Sequence, residues 1–419
     1  MAPLDLSLYP PHTSLDDAGR LTIGGCRVAD LAEQFGTPAY LVDAAGLRER
    51  AQAFQHALTS RHPRSQVLFA TKSLPTPSVM GLIASTGCGV DVAGLGELLA
   101  AQRAGIDAAG IVLHGNAKTD AEIGMAIEMG IRYIVIDNLD DVARITRLAR
   151  HPIPVLLRVS PAVQADTHEK MATGHDASKF GIPSHQIAGV IETIRREPLL
   201  DLRGLHVHIG SQILTIEQFE LAVAALGQLE RFDVYDLGGG LGIRYVPSDT
   251  APTIDEYAQR LVDAVHRHLG SNVELLIEPG RSMIGPNVVT VYRVVTIKRG
   301  VRTHVAVDGG MGDNLEVALY GQAYHPAIID KSGPVEVCDV VGRHCESGDT
   351  FVLDHGLVHP EVGDLLTIPV TGAYTFTVAN NYNGALRPPV VFCEDGEARL
   401  AVRRETYEDM LGRDVLAGG

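Results

Sequence analysis

The chain has few cysteines and no arrangement for pairing them. There are five, an odd number, with no C-x-x-C spacing among Cys26, Cys88, Cys338, Cys345 and Cys393. That count excludes a disulfide framework and a structural zinc site. No run reaches the ~18 consecutive apolar residues of a membrane-spanning helix. The acidic, proline-containing start MAPLDLSLYPPHTSLDDAG lacks the apolar centre of a signal peptide, so a cytoplasmic location is expected. Blocks of like charge are absent too, and a formal net charge of −16 argues against nucleic acid and membrane surfaces as partners. Neither G-x-G-x-x-G nor a Walker lysine occurs, so no dinucleotide or nucleoside triphosphate is implied. Internal repeats and low-complexity linkers are likewise missing.

What is present is an ordinary α/β composition, 45% hydrophobic and 21% charged over 419 residues, long enough for two or three domains. Strand-like apolar runs recur near 67–71, 89–92, 111–114, 133–136, 155–159, 204–208, 234–237 and 274–278. Amphipathic, helix-like segments separate them: Gly94–Ala104, Thr119–Met129 with Thr119 and Glu122 at capping-box spacing, Gln186–Arg195, Glu217–Leu229 and Ile254–Leu269. Eight strands alternating with helices fit a (β/α)8, TIM-like barrel. A doubly wound sheet is the competitor that periodicity alone leaves open. From about Ser282 β-branched runs replace the helical pattern, and an all-β domain is expected. The domains read as an N-terminal segment at 1–35, a barrel at 36–281, whose span takes in a further strand at Ala39–Val42, and a β domain at 282–419.

Unusual residues collect at the carboxyl ends of the barrel strands. The run VLFATKS, Val67–Ser73, delivers Lys72 just past a buried strand and before the proline-containing loop Leu74–Pro77. Burial lowers an amine's pKa, and such a lysine can form a Schiff base with an aldehyde. A salt-bridged or snorkelling lysine is the alternative at that position. In GLHVHIGSQ, His206 and His208 lie two apart and share a strand face. A metal pair needs a third ligand, and none stands at a telling distance in the sequence. A flat imidazole stacked on an aromatic cofactor, with Ser211 on an anion, fits better. In DLGGGLG, Gly238, Gly239 and Gly240 follow a strand and offer backbone N–H groups as an anion nest. In LLIEPGR, Glu278 beside a heterocyclic nitrogen would keep that nitrogen protonated and the ring an electron sink. A structural pair with Arg281 is the other reading. Cys345, in CESGD, is either an inert thiol or part of a loop site.

Together these motifs resemble the fold-type III pyridoxal-phosphate decarboxylases, particularly the branch acting on diaminopimelate. The likeness runs from Gly36-Thr37-Pro38 to Arg404-Glu405-Thr406-Tyr407-Glu408 and includes FATKS, CGVDVAGLGEL, HGNAKT, TGHDASKFGI, GLHVHIGSQ, GGGLG, EPGR, CESGD and GAY. It implies a (β/α)8 barrel followed by a β-barrel- or sandwich-like domain that also recruits the N-terminal segment. It further implies pyridoxal 5'-phosphate as cofactor, no metal, a small amino-acid substrate, and a homodimer with shared active sites. By motif, Lys72 is the Schiff-base lysine, His208 the stacking ring and Glu278 the partner of the ring nitrogen. Gly238, Gly239, Gly240, Ser211, Gly280, Arg281 and Tyr374 hold the phosphate or border the substrate. Asp91 lies near the lysine and Arg158 near the ring. Cys345, as proton donor, and Glu346, as substrate contact, come from a second subunit. The implied reaction is meso-diaminopimelate to L-lysine and CO2.

One position departs from that pattern. Four residues before Tyr320 the diaminopimelate branch has an arginine for the distal carboxylate, and here Glu316 stands. An acid there favours a cationic or neutral distal group instead. Among other classes, a barrel racemase would place an arginine at the pyridine nitrogen, against Glu278. A regulatory binding protein would have lost residues that are all present here.

Overall fold

In the computed structural model the described residues are 4–161 and 178–415; of TGHDASKFGI only Ser178–Ile182 fall within them. The chain divides into two units, one formed by residues 48–243 and 250–283, the other by the described residues of 1–47, 244–249 and 284–419.

The first unit is a closed barrel of eight parallel strands: β1 (Ser65–Ala70), β2 (Gly89–Val92), β3 (Ile111–Leu113), β4 (Tyr133–Ile136), β5 (Ile153–Ser160), β6 (Leu200–Val207), β7 (Val234–Asp236) and β8 (Glu274–Ile277). Each pairs with its successor, and β8 returns to β1 with Leu275, Leu276 and Ile277 opposite Ser65, Gln66 and Val67. That last pairing rules out the doubly wound alternative. Most strand residues are buried on both faces, as near-continuous apolar runs require. Leu68, Val112, Tyr133, Val135, Leu156, Val234 and Leu276 form one buried cluster across the strands.

The helices Leu95–Arg103, Asp120–Met129, Ile187–Arg196, Glu217–Leu226 and Ile254–His268 follow the periodicity. The Thr119/Glu122 capping box forms as its spacing predicts. Pro77–Ala84 and Leu139–Leu148, among the described residues, escape the sequence reading. In Pro77–Ala84 the second proline of the apparent loop occupies the first helical turn, and Thr76 caps it by accepting from the Val79 N–H. Proline is favoured there because its missing donor costs nothing. In Leu139–Leu148 the apolar stripe is thin, since only Val142 and Ile145 are buried apolar residues, while buried Asp141 breaks the pattern.

In the second unit the long strand Val288–Arg299 pairs with Thr303–Val307, Leu365–Pro369 and Ala39–Asp43, and Val390–Glu394 runs parallel to Ala39–Asp43. Ala39–Asp43 therefore belongs to this mixed sheet, although the turn at Gly36–Pro38 makes it look like the head of the barrel. A five-residue strand buried throughout carries no mark of which sheet it joins. Leu21, Ile23, Val28 and Leu31 share a buried cluster with Leu41, Val289 and Val391. Thr350–Val358 also forms a strand, pairing antiparallel with Val335–Val341. Within it Asp354 adopts a φ of 51°. Among the described residues no helix is long and apolar enough to cross a membrane.

A buried ion pair ties two segments of the barrel unit together. Lys118 Nζ lies 2.7 Å from Asp141 Oδ2, with both side chains out of solvent, and also donates to the Gly115 carbonyl. Removing the cation strands a buried carboxylate, so Lys118→Ala should cost about 3–5 kcal/mol. By contrast Arg147→Ala, which breaks the exposed pair with Asp120, should leave the transition in place. Urea unfolding of the two variants checks this; equal losses would contradict it.

Candidate active site

The strand ends on one rim of the barrel carry the chemistry. Lys72 sits in a single 3-10 turn, Thr71–Ser73, directly after β1 and is half-buried. The turn is pinned on both sides: Thr71 Oγ1 donates to the Asp91 carbonyl and Ser73 Oγ to the Ala70 carbonyl, each at 2.8 Å. Gly280 permits the neighbouring turn to press against it, since a Cβ there would lie 3.0 Å from the Ala70 Cβ.

Glu278 follows β8 and is buried beside two imidazoles. His114 Nε2, just past β3, lies 2.6 Å from Glu278 Oε1 and 3.6 Å from Asp91 Oδ1. His206 Nε2, in β6, lies 3.4 Å from Glu278 Oε2, and its ring meets His114 edge-on at 4.7 Å. Burial alone would push Glu278 up, but the imidazoles outweigh it and hold the carboxyl well below its usual range. Of the two, His114 contributes the more. Burial lowers its pKa, yet Asp91 and Glu278 more than compensate and leave it raised. Burial drives His206 down to about 3, so it is neutral. Asp91, at the end of β2, is pushed up to about 6 by burial, with His114 and Lys72 pulling the other way.

His208, just past β6, accepts from the Gly239 N–H through Nδ1 at 3.3 Å. Burial, then the charges of Lys72 and Arg158, hold its pKa well below normal, so its ring is a neutral plate. Arg158, buried in β5, is 3.5 Å from Asp137 Oδ2, and its guanidinium stands 4.5 Å from the Phe180 ring centroid. Arg281 Nε donates to Ser211 Oγ at 3.2 Å, which brings two of the expected anion contacts together.

The glycine triplet works differently from the simple nest. The Gly238 N–H goes to Asp236 Oδ1 at 3.0 Å and the Gly239 N–H to His208, so two of the three donors have partners inside the chain. What the triplet supplies is close approach. A Cβ at Gly239 would lie 2.1 Å from the Glu278 carbonyl oxygen, and Gly240 adopts a φ of +114°. Sequence reasoning also passed over His114, Asp236 and Glu97. All three stand inside motifs that were recognised, HGNAKT, DLGGGLG and CGVDVAGLGEL, and for His114 and Asp236 the position at a strand end was the available signal. His114, Asp236 and Glu278 supply donors around His206, all within 4.8 Å of one another. The reason given for setting a metal aside, the lack of a third ligand, therefore does not hold, because barrel closure gathers donors far apart in sequence.

The other expected site residues lie in the second unit. Glu316 opens the short helix Glu316–Tyr320, is buried, and accepts from Tyr324 OH at 3.1 Å; Tyr320 is half-buried at the helix end. Tyr374 takes a left-handed φ of 58°, following Gly372, where a Cβ would lie 2.1 Å from the Ile284 carbonyl oxygen. Cys345 is exposed, whereas the other four cysteines are buried. Its N–H donates to Asn383 Oδ1 at 2.8 Å, and the neighbouring Glu346 is also exposed.

The donor set fits pyridoxal phosphate. An amine stands at one strand end and a buried acid, flanked by two imidazoles, at another. A flat uncharged ring lies between glycine-lined turns, with an Arg–Ser pair suited to a phosphate. Residues 44–285 match the family model described as "Pyridoxal-dependent decarboxylase, pyridoxal binding domain". The diaminopimelate decarboxylase of Actinosynnema pretiosum subsp. auranticum is 40% identical over 432 residues, covering 98% of this chain and 96% of that one. That of Bacillus subtilis is 40% identical over 421 residues, with 95% of each covered. The crystal structure of diaminopimelate decarboxylase from M. jannaschii in co-complex with L-lysine superposes with a TM-score of 0.91 at 31% identity, covering 97% of this chain and 98% of that one. The chain belongs to the pyridoxal-dependent decarboxylase family, a carboxy-lyase with pyridoxal phosphate as its cofactor.

Proposed function

We propose that this chain decarboxylates meso-diaminopimelate to L-lysine and CO2. The observation that carries the reading is the buried Glu278 anion on the same barrel rim as Lys72, in a chain that matches diaminopimelate decarboxylases over nearly its whole length. When bound, pyridoxal phosphate supplies an aldehyde for the substrate amine and a protonated ring that accepts the electron pair left by CO2.

The residues divide the remaining work. Lys72 would hold the cofactor through its amine. Glu278, kept anionic, holds the proton on the ring nitrogen. His208, neutral, covers the ring face without opposing its charge. Arg158 would lie toward the ring, and Asp91 is close enough to Lys72 to feel its charge. Arg281 and Ser211 would hold the phosphate, and Gly238, Gly239, Gly240 and Gly280 would let the strand ends close around it. We infer that the enzyme is a cytoplasmic homodimer. The exposed Cys345 of a second copy returns a proton to the carbon that lost CO2, and Glu346 contacts the substrate's amino groups.

Glu316 supports a second reading. A buried carboxylate in place of the branch's arginine would repel a distal carboxylate and suit a cationic or neutral group. Tyr324 already donates to it, which supports a structural role compatible with the first reading. A regulatory binding protein is disfavoured by the intact Lys72, His208, Glu278 and Cys345.

Two measurements test these statements. Product formation from meso-diaminopimelate, L- and D-lysine, ornithine and arginine should be highest with diaminopimelate for wild type. Turnover of diaminopimelate only by Glu316→Arg would transfer the assignment to the second reading. Glu278→Gln should lower kcat by about 10²–10⁴-fold with a smaller change in KM. Steady-state kinetics giving unchanged kcat would remove Glu278 from the mechanism.

A further inference from the structure

More titratable groups surround Glu278 than holding one ring proton requires. Asp236, the last residue of β7, is fully buried; its Oδ1 accepts from the Gly238 N–H, and its Oδ2 has no hydrogen-bond donor among the described residues. Glu278 Oε1 likewise lacks an aligned donor, so its approach to His114 is a charge contact. Both carboxylates belong to the group whose ligating atoms lie within 4.8 Å of one another. Two acid side chains this close in a dry site cannot both ionise, and one shared proton satisfies both.

Facing His114 are Asp91, Arg158, His206, Asp236 and Glu278, from five different strands or strand ends, and Glu97 from the helix after β2. Two carboxylates approach its Nε2, at 2.6 and 3.6 Å, and a neutral ring packs on its side.

We propose that Asp236 carries a proton that it donates to Glu278, while His114, cationic between Asp91 and Glu278, keeps Glu278 the anionic member of the pair. Both are positioning residues for the cofactor's ring nitrogen. This rests on the reading that Glu278 meets that nitrogen. The electrostatics run the same way: burial, then the Glu278 charge, holds Asp236 well above the usual carboxylate range, whereas Glu278 is held well below it. Without His114 the anion loses its counter-charge and competes with the ring nitrogen for the proton.

The test reads the cofactor's dissociation constant and the visible spectrum of the holoenzyme from about pH 5.5 to 8.5. Wild type should show a band that is constant over this range. Asp236→Asn retains a neutral donor and should keep the dissociation constant within about threefold. Asp236→Leu and His114→Asn should each raise it about tenfold and make the band pH-dependent. If His114→Asn does not fold, His114→Gln takes its place. Loss of cofactor in Asp236→Asn as severe as in Asp236→Leu would show that Asp236 acts as an anion and overturn the proposal. A His114→Asn enzyme with the wild-type constant and a constant band would do the same, as would a stoichiometric divalent metal in the purified holoenzyme. Glu278→Gln separates the two levels. No change there sinks the Glu278 reading itself; a change there with silent His114 and Asp236 variants sinks only this inference.

Discussion

The pairing of β8 with β1 is the constraint on which the site depends. It places Leu275, Leu276 and Ile277 alongside Ser65, Gln66 and Val67, so that the chain beyond β8 and the chain beyond β1 leave the barrel at neighbouring points. Lys72 and Glu278 thereby reach the same rim although most of the barrel lies between them in sequence. The parallel arrangement sends every strand's carboxyl end to that rim, and so Asp91, His114, Arg158, His206, Asp236 and Glu278 converge without any local motif containing more than two of them.

Convergence has an electrostatic cost. Asp91, Asp236 and Glu278 are three carboxylates out of water, and an uncompensated buried charge is expensive. Two means of compensation are visible. Arg158, His114 and the half-buried Lys72 stand among the acids, while burial and the Glu278 charge hold Asp236 well above the usual carboxylate range. The glycines belong to the same solution. They let the ends of β6, β7 and β8 approach so closely that the Gly239 N–H reaches His208.

How much of this was legible follows from where the information sits. Strand positions were readable because an apolar run needs no partner to be recognised. The Thr119 capping box was equally readable, since both of its halves lie within four residues. Lys72, His208, Glu278 and Arg281 stood out as polar residues ending apolar runs. Facts that depend on pairing at a distance were not readable. Ala39–Asp43 could be seen as a strand but not as a neighbour of Val288–Val291. The glycine triplet could be seen as a source of donors, but not that two of them are already used. Asp236 and His114 looked like motif spelling until closure set them beside Glu278. The helix starting at Pro77 was hidden for a different reason: proline signals both the end of one element and the start of another.

The most direct test of the account is to reduce the holoenzyme with borohydride, digest it, and locate the pyridoxyl group by mass spectrometry. The account predicts a single modified peptide, carrying the group on Lys72. Modification of another lysine, such as Lys118, or of none, would contradict the claim that the end of β1 holds the cofactor.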